Sequence, residues 1–176
     1  EFHQGQLLAR FASPKFKPSS CVRQTSGIIL YTNPMAKLRV PAVEGMFTMD
    51  FENPSLIGGK GTTSQSYYFP KDLSGGDPKC VNDELREEVY LSSTAKIWSY
   101  TSADYPPTLP YQIKEPFQPF LICAALLQKE SLVICGQMMP GVGIDDLEVG
   151  LDVKLALDVL FEDDEYEYIV WKWDLL

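Results

Sequence analysis

Four cysteines, a single histidine and a run of carboxylates are the side chains with which this chain could do covalent, metal or acid–base chemistry. Cys21, Cys80, Cys123 and Cys135 follow no paired or framework spacing. Cys123 and Cys135 fall inside apolar runs, where a free thiol packs as a small hydrophobe. Cys80 has only Lys79 beside it to lower its pKa, which argues against a reactive thiol. The histidine, His3, lies near the start of the sequence, and the remaining chain has no imidazole for a general base, a triad or zinc. Glu162-Asp163-Asp164-Glu165 and Glu167 could pair for acid–base work, but an acidic run between two strand-like segments reads as a solvated turn or as a docking element for a basic patch. Residues 136–143 have neither the glycine spacing nor the lysine of a phosphate loop. Trp171 and Trp173 could stack on nucleobases; a packed wall or a protein interface suits two such aromatics better.

Charge narrows the partners. Residues 1–34 hold four of the fifteen basic residues and one acid, Glu1, which leaves residues 35–176 with eleven Lys/Arg against 23 Asp/Glu, a net of −12. Such a body repels nucleic acid and anionic membrane alike, so neither is expected as a partner. The longest purely apolar run, residues 120–127, has eight residues and suits a buried strand rather than a membrane span. The sequence opens without the basic-then-apolar layout of a signal peptide. With unpaired cysteines, the expectation is a reducing cytoplasm.

The elements that would position these residues are mostly strands. From Val153 to Phe161 the odd positions are apolar, with Lys154, Ala156 and Asp158 between them, which predicts a half-buried strand. A second alternating run ends Trp171-Lys172-Trp173, with both indoles on one face and the charge on the other. Around the acidic break the two runs read as a long hairpin, fit to wall a small barrel. Residues 120–127 and 132–138 form another hairpin across Gln128-Lys129-Glu130-Ser131. Residues 85–90 and 95–101 supply further strands, with Ile97 and Trp98 expected inside. Asp145-Asp146-Leu147 can start one helical turn with aspartate as its cap, and Gly150 ends it. Prolines at 41 and 54 leave room for at most a short helix in residues 36–56. Residues 56–70 suggest a small hairpin with its tip at residues 61–66. Five prolines between Pro106 and Pro119 exclude a central strand or a helix there. They make a rigid excursion that still carries Leu109, Tyr111, Ile113 and Phe117. Five main strands with a short helical insert before the last pair predict a mostly β chain, an OB-type Greek-key barrel behind a smaller hairpin module. Residues 1–34 read as tag-derived, upstream or disordered sequence, with a docking extension as the alternative. The lead and hairpin module span 35–90, and the barrel spans 91–176.

The order of these pieces resembles a known family. Val40-Pro41-Ala42-Val43-Glu44-Gly45, Leu56-Ile57-Gly58, Tyr68-Phe69-Pro70, Lys96-Ile97-Trp98-Ser99-Tyr100-Thr101, residues 146–153 and the ending Glu165-Tyr166-Glu167-Tyr168-Ile169-Val170-Trp171-Lys172-Trp173 carry the likeness across roughly residues 40–174. They resemble the thiolase-associated OB-fold proteins with a rubredoxin-like zinc ribbon, first catalogued as domain of unknown function thirty-five. The resemblance implies a non-catalytic accessory subunit of a thiolase-superfamily acyl-CoA complex, of thiolase or sterol side-chain aldolase type. The partner, a thiolase-like or sterol-carrier-type thiolase subunit, would carry the catalytic residues. This chain would stabilise that subunit and help shape its acyl-CoA site. The alternative is a stand-alone OB-fold binder of single-stranded nucleic acid.

Alignment to the family places the ribbon's ligand pairs at Gly61 and Ser64, and at Asp77 and Cys80. Zinc in a structural site takes four ligands, and this set offers one thiolate and one carboxylate. No metal and no other cofactor is therefore expected, although a CoA thioester could be contacted within a complex. Tyr67, Tyr68 and Phe69 packing on the barrel, or the partner, are expected to hold the ribbon in the metal's place. For partner contact the candidates are Tyr105, Pro106, Pro107, Leu109, Tyr111 and Phe117 from the proline-rich excursion, with Trp171 and Trp173 from the terminal strand. No residue is a candidate for catalysis.

Overall fold

The computed structural model describes residues 37–73, 84–108 and 116–176, all within the compact unit Ala36–Leu176. Residues 1–34, Asp77, Cys80, Leu109, Tyr111 and Ile113 lie outside the described residues. Among the described residues there are nine strands: β1 Leu38–Pro41, β2 Ile57–Gly61, β3 Tyr67–Tyr68, β4 Arg86–Tyr90, β5 Thr94–Ala103, β6 Phe120–Leu127, β7 Leu132–Met138, β8 Asp152–Glu162 and β9 Tyr166–Leu175.

The alternation in residues 153–161 becomes β8, and its register with β9 explains the burial of both. Val153 lies opposite Leu175, Leu155 opposite Trp173, Leu157 opposite Trp171 and Val159 opposite Ile169. Residues directly across an antiparallel pair share a face, so this set forms one apolar wall. β6 contributes Cys123, Ala125 and Leu127 to the same core, and β7 contributes Ile134 and Met138. Closure follows from the pairings β5–β6, β6–β7, β7–β9, β9–β8 and β8–β5, with β7 and β9 parallel and the other four antiparallel. This is a closed five-stranded OB-type barrel. The insert before its last hairpin is a 3₁₀ turn, Ile144–Asp146.

β2, β3 and β4 form a separate three-stranded antiparallel sheet with order β3-β2-β4. It is the expected hairpin module enlarged by one strand. Phe47, Leu56 and Leu91 join it to the barrel core.

Several expectations need correction. The lead contains strand β1 rather than a helix. β7 meets β9 only at Lys172 and Trp173, which leaves the edge of β9 free at residues 166–169 for β1 to pair in parallel. Lys37 and Arg39 then reach Glu162 at 3.1 Å and Glu167 at 2.9 Å. The aspartate of the 3₁₀ turn does not precede it as a cap; Asp146, inside the turn, accepts the Gly143 N–H at 2.8 Å. Cys123 is buried as expected, but Cys135 points outward and is exposed. Ile97 is buried, whereas Trp98 is 60% exposed. The register passes from Ile97 opposite Ala125 directly to Ser99 opposite Ala124, so Trp98 is the extra residue of a β-bulge. Among the described residues no helix is long and apolar enough to cross a membrane.

Candidate functional site

The terminal strand supplies a joint and one wall of a cavity. Trp171 packs edge-on against Phe47 from the lead and Phe69 from the small sheet, with ring centroids 5.7 Å apart in each case. Its indole N–H donates to the Cys135 carbonyl at 3.1 Å. T-shaped contacts of this kind add to the area buried, and here they tie lead, small sheet and barrel to one ring. Trp173 is fully buried at 0% exposure and lies against Gly136. A Cβ on Gly136 would stand 3.0 Å from the Trp173 ring, so the small residue lets the indole reach β7. Trp173 is therefore barrel wall, and its place among the partner-contact residues is corrected on that ground.

A cavity of about 510 Å³ lies where β5 ends, β6 begins and β7 ends. Phe117, Phe120 and Leu121 line it from the approach to β6, and Met138, Met139 and Val142 line it from the β7 exit. Leu160 enters from β8. It is the extra residue of a second bulge, because Val159 pairs with Ile169 and Phe161 with Tyr168. Bulges re-aim a side chain out of the regular alternation.

The polar lining is sparse. Ser102, Gln118 and Gln137 are neutral, and Lys172 is the one ionisable lining group among the described residues. Lys172 sits on the face of β9 opposite the two tryptophans and directly beside Gln137 across the β7–β9 seam. It is only 5% exposed, and its ammonium meets Asp158 Oδ2 at 2.6 Å. A buried ammonium is costly unless paired and hydrogen-bonded, and Asp158 supplies the pair. Alternation predicted the face of Lys172 but not its burial, because the loops that cover that face are distant in sequence.

Of the remaining predicted contact residues, Tyr105 is 78% exposed just beyond β5, Pro106 is exposed and Pro107 is half-buried. Phe117 turns into the cavity and packs edge-on with Phe120 at 6.3 Å. The described residues of the excursion thus divide between a solvent-facing part, Tyr105 and Pro106, and a cavity wall, Phe117.

The knuckle of the small sheet is organised by a residue that sequence reading passed over. Glu84 Oε2 accepts the N–H groups of Thr63 at 3.0 Å and Ser64 at 2.9 Å. Its Oε1 accepts the Ser64 hydroxyl at 2.5 Å and the Tyr68 hydroxyl at 2.6 Å. The Ser64 and Tyr68 hydroxyls, then the two backbone donors, hold the Glu84 carboxyl down at about 2. The Arg86 guanidinium lies over the Tyr68 ring at 3.9 Å and donates to the Lys71 and Leu73 carbonyls. Gly61 and Ser64, the first pair of expected ligand positions, do not fit a metal. Gly61 has no donor atom, Ser64 already serves Glu84, and a Cβ on Gly61 would collide with the Glu84 carboxylate. Among the described residues no group of three or more His, Cys, Asp or Glu is placed to hold a metal ion.

No family model matches the chain, and no curated protein matches it. One solved structure it is similar to is described as "Ltp2-ChsH2(DUF35) aldolase". The two share 19% identity over 69% of this chain and 84% of that one, with a TM-score of 0.47. At that distance no activity is transferred.

The acidic tip is also assigned a local task. Asp163 Oδ1 accepts the N–H groups of Glu165 at 2.9 Å and Tyr166 at 2.7 Å, and Oδ2 accepts the Tyr168 hydroxyl at 3.0 Å. These bonds, led by the two backbone donors, lower the pKa of Asp163. They shape the turn between β8 and β9.

Proposed function

We propose that this chain is a non-catalytic accessory subunit of a thiolase-type acyl-CoA complex, holding a partner that carries the reactive groups and helping to shape its acyl-CoA site. The observation that carries the reading is the pair of large aromatics left in water along β5 and its exit, Trp98 at 60% and Tyr105 at 78% exposure. A bulge turns Trp98 out of the sheet, and Tyr105 is followed by Pro106 and Pro107, whose fixed rings lose little freedom on docking. Aromatic anchors are the residues from which protein interfaces draw much of their affinity. The apolar end cavity, whose ionisable lining residue is neutralised by Asp158, supports a binding role over a catalytic one. The order of sequence motifs along residues 40–174 supports the choice of a thiolase-type partner.

Co-expression with a thiolase-like protein tests the reading. The two should elute together in size-exclusion chromatography at low and at moderate salt, and the partner's activity or solubility should rise. Separate elution under both conditions would count against the proposal.

A further inference from the structure

We propose that the end cavity is a binding site of this chain in its own right, for an apolar molecule bearing one neutral carbonyl oxygen, with Lys172 donating to that oxygen. The site is lined by residues of this chain and stands whether or not a partner subunit is found.

Size and lining come first. At about 510 Å³ the cavity falls in the range of small-molecule pockets, which join apolar walls to a few placed polar groups. Phe117, Met138, Met139 and Leu160 provide flexible and aromatic apolar surface. Methionine adapts its shape to irregular ligands. The bulge that sets Leu160 into this space interrupts an otherwise regular β8–β9 pairing. Bulges occur preferentially beside binding and active sites.

The polar group selects the ligand's head. An ammonium has three donors, and among the described residues Asp158 is the one hydrogen-bond acceptor recorded for Lys172. Donor capacity therefore remains on a side chain that is nearly dry and lines the cavity. Because Lys172 and Asp158 are jointly neutral, the cavity has no net charge to attract an anion. A ligand carboxylate reaching Lys172 would meet the charge of Asp158, and a ligand ammonium would meet that of Lys172. A carbonyl oxygen accepts from Lys172 without either repulsion, and its apolar body covers the methionine and phenylalanine walls.

Isothermal titration of the isolated chain with nonyl methyl ketone, the corresponding secondary alcohol, decanoate and decylamine tests this. The ketone should bind saturably and at least tenfold more tightly than decanoate or decylamine. Leu160→Trp, which fills the cavity, should weaken the ketone at least tenfold; if that variant loses its cooperative thermal transition, Val142→Trp serves instead. Lys172→Met keeps the apolar stem and should abolish the preference for the ketone over a hydrocarbon of equal length. Absence of saturable ketone binding, binding unaffected by the filled cavity, or a ketone preference that survives Lys172→Met would each overturn the assignment. None of these results depends on co-elution with a thiolase-type protein, so the two proposals fail separately.

Discussion

Four donors from one knuckle converge on Glu84, and the consequence is a pH signature. Because the folded carboxyl is held at about 2, below the ordinary carboxylate range near ~4.3, its contribution to stability is fully present above that range. It is lost as the pH falls towards 2. Glu84→Gln should therefore lower the thermal midpoint at neutral pH and speed amide exchange in the knuckle, with the gap from the parent protein narrowing from pH 5 to pH 2. A gap that stays constant over that window would refute the role of the carboxylate's charge. The two described cysteines divide just as clearly. Burial, with a smaller contribution from nearby Cys135, raises Cys123 to about 11, whereas Cys135 is exposed on the outer face of β7. A thiol reagent at neutral pH should label Cys135 in the native protein and Cys123 only after denaturation, as read by peptide mass spectrometry.

Individual elements owe their stability to pairing across the barrel. β9 is its busiest strand, bonded along one edge to β8 and along the other to β1 and then β7. Trp173→Ala would leave a large void among Leu155, Gly136 and their neighbours. The cost should be about 3–5 kcal/mol in urea unfolding, the usual range for a buried aromatic reduced to alanine. The small sheet reaches the barrel through Phe69 on Trp171 and through Leu56 and Leu91 in the common core. Tyr68, expected to pack on the barrel, instead spends its hydroxyl on Glu84 and its ring face on Arg86, while Tyr67 stays half-buried against the core.

Across the whole molecule, apolar side chains that remain in water separate docking from folding. Trp98 is exposed, so Trp98→Ser should change unfolding stability by no more than about 0.5 kcal/mol, yet weaken co-elution with a thiolase-type partner. Normal association together with normal stability would remove Trp98 from the interface. Surface composition alone could not have separated these roles. The sequence places Trp98 inside and leaves Trp171 and Trp173 equally suited to wall or interface; the bulge, the Phe47 and Phe69 contacts and full burial sort the three.

Local alternation and turn chemistry made β6 to β9 legible, because strand period and hairpin turns are properties of neighbouring residues. They also made the OB-type architecture legible from the number and order of strands. What they could not convey was pairing between distant segments. β1 on the free edge of β9, Glu84 in a knuckle about twenty positions earlier and the burial of Lys172 beneath loops from β5–β6 and β7–β8 all depend on chain closure. Bulges hide for a related reason: the extra residue at Trp98 or Leu160 is defined only by what its partner strand lacks. The sequence alone settled which runs are strands, the acidic character of the body and the lack of imidazole beyond His3. Closure of the barrel decided which tryptophan faces water, which carboxylate organises the knuckle and where a cavity forms, because each depends on contacts between groups far apart along the chain.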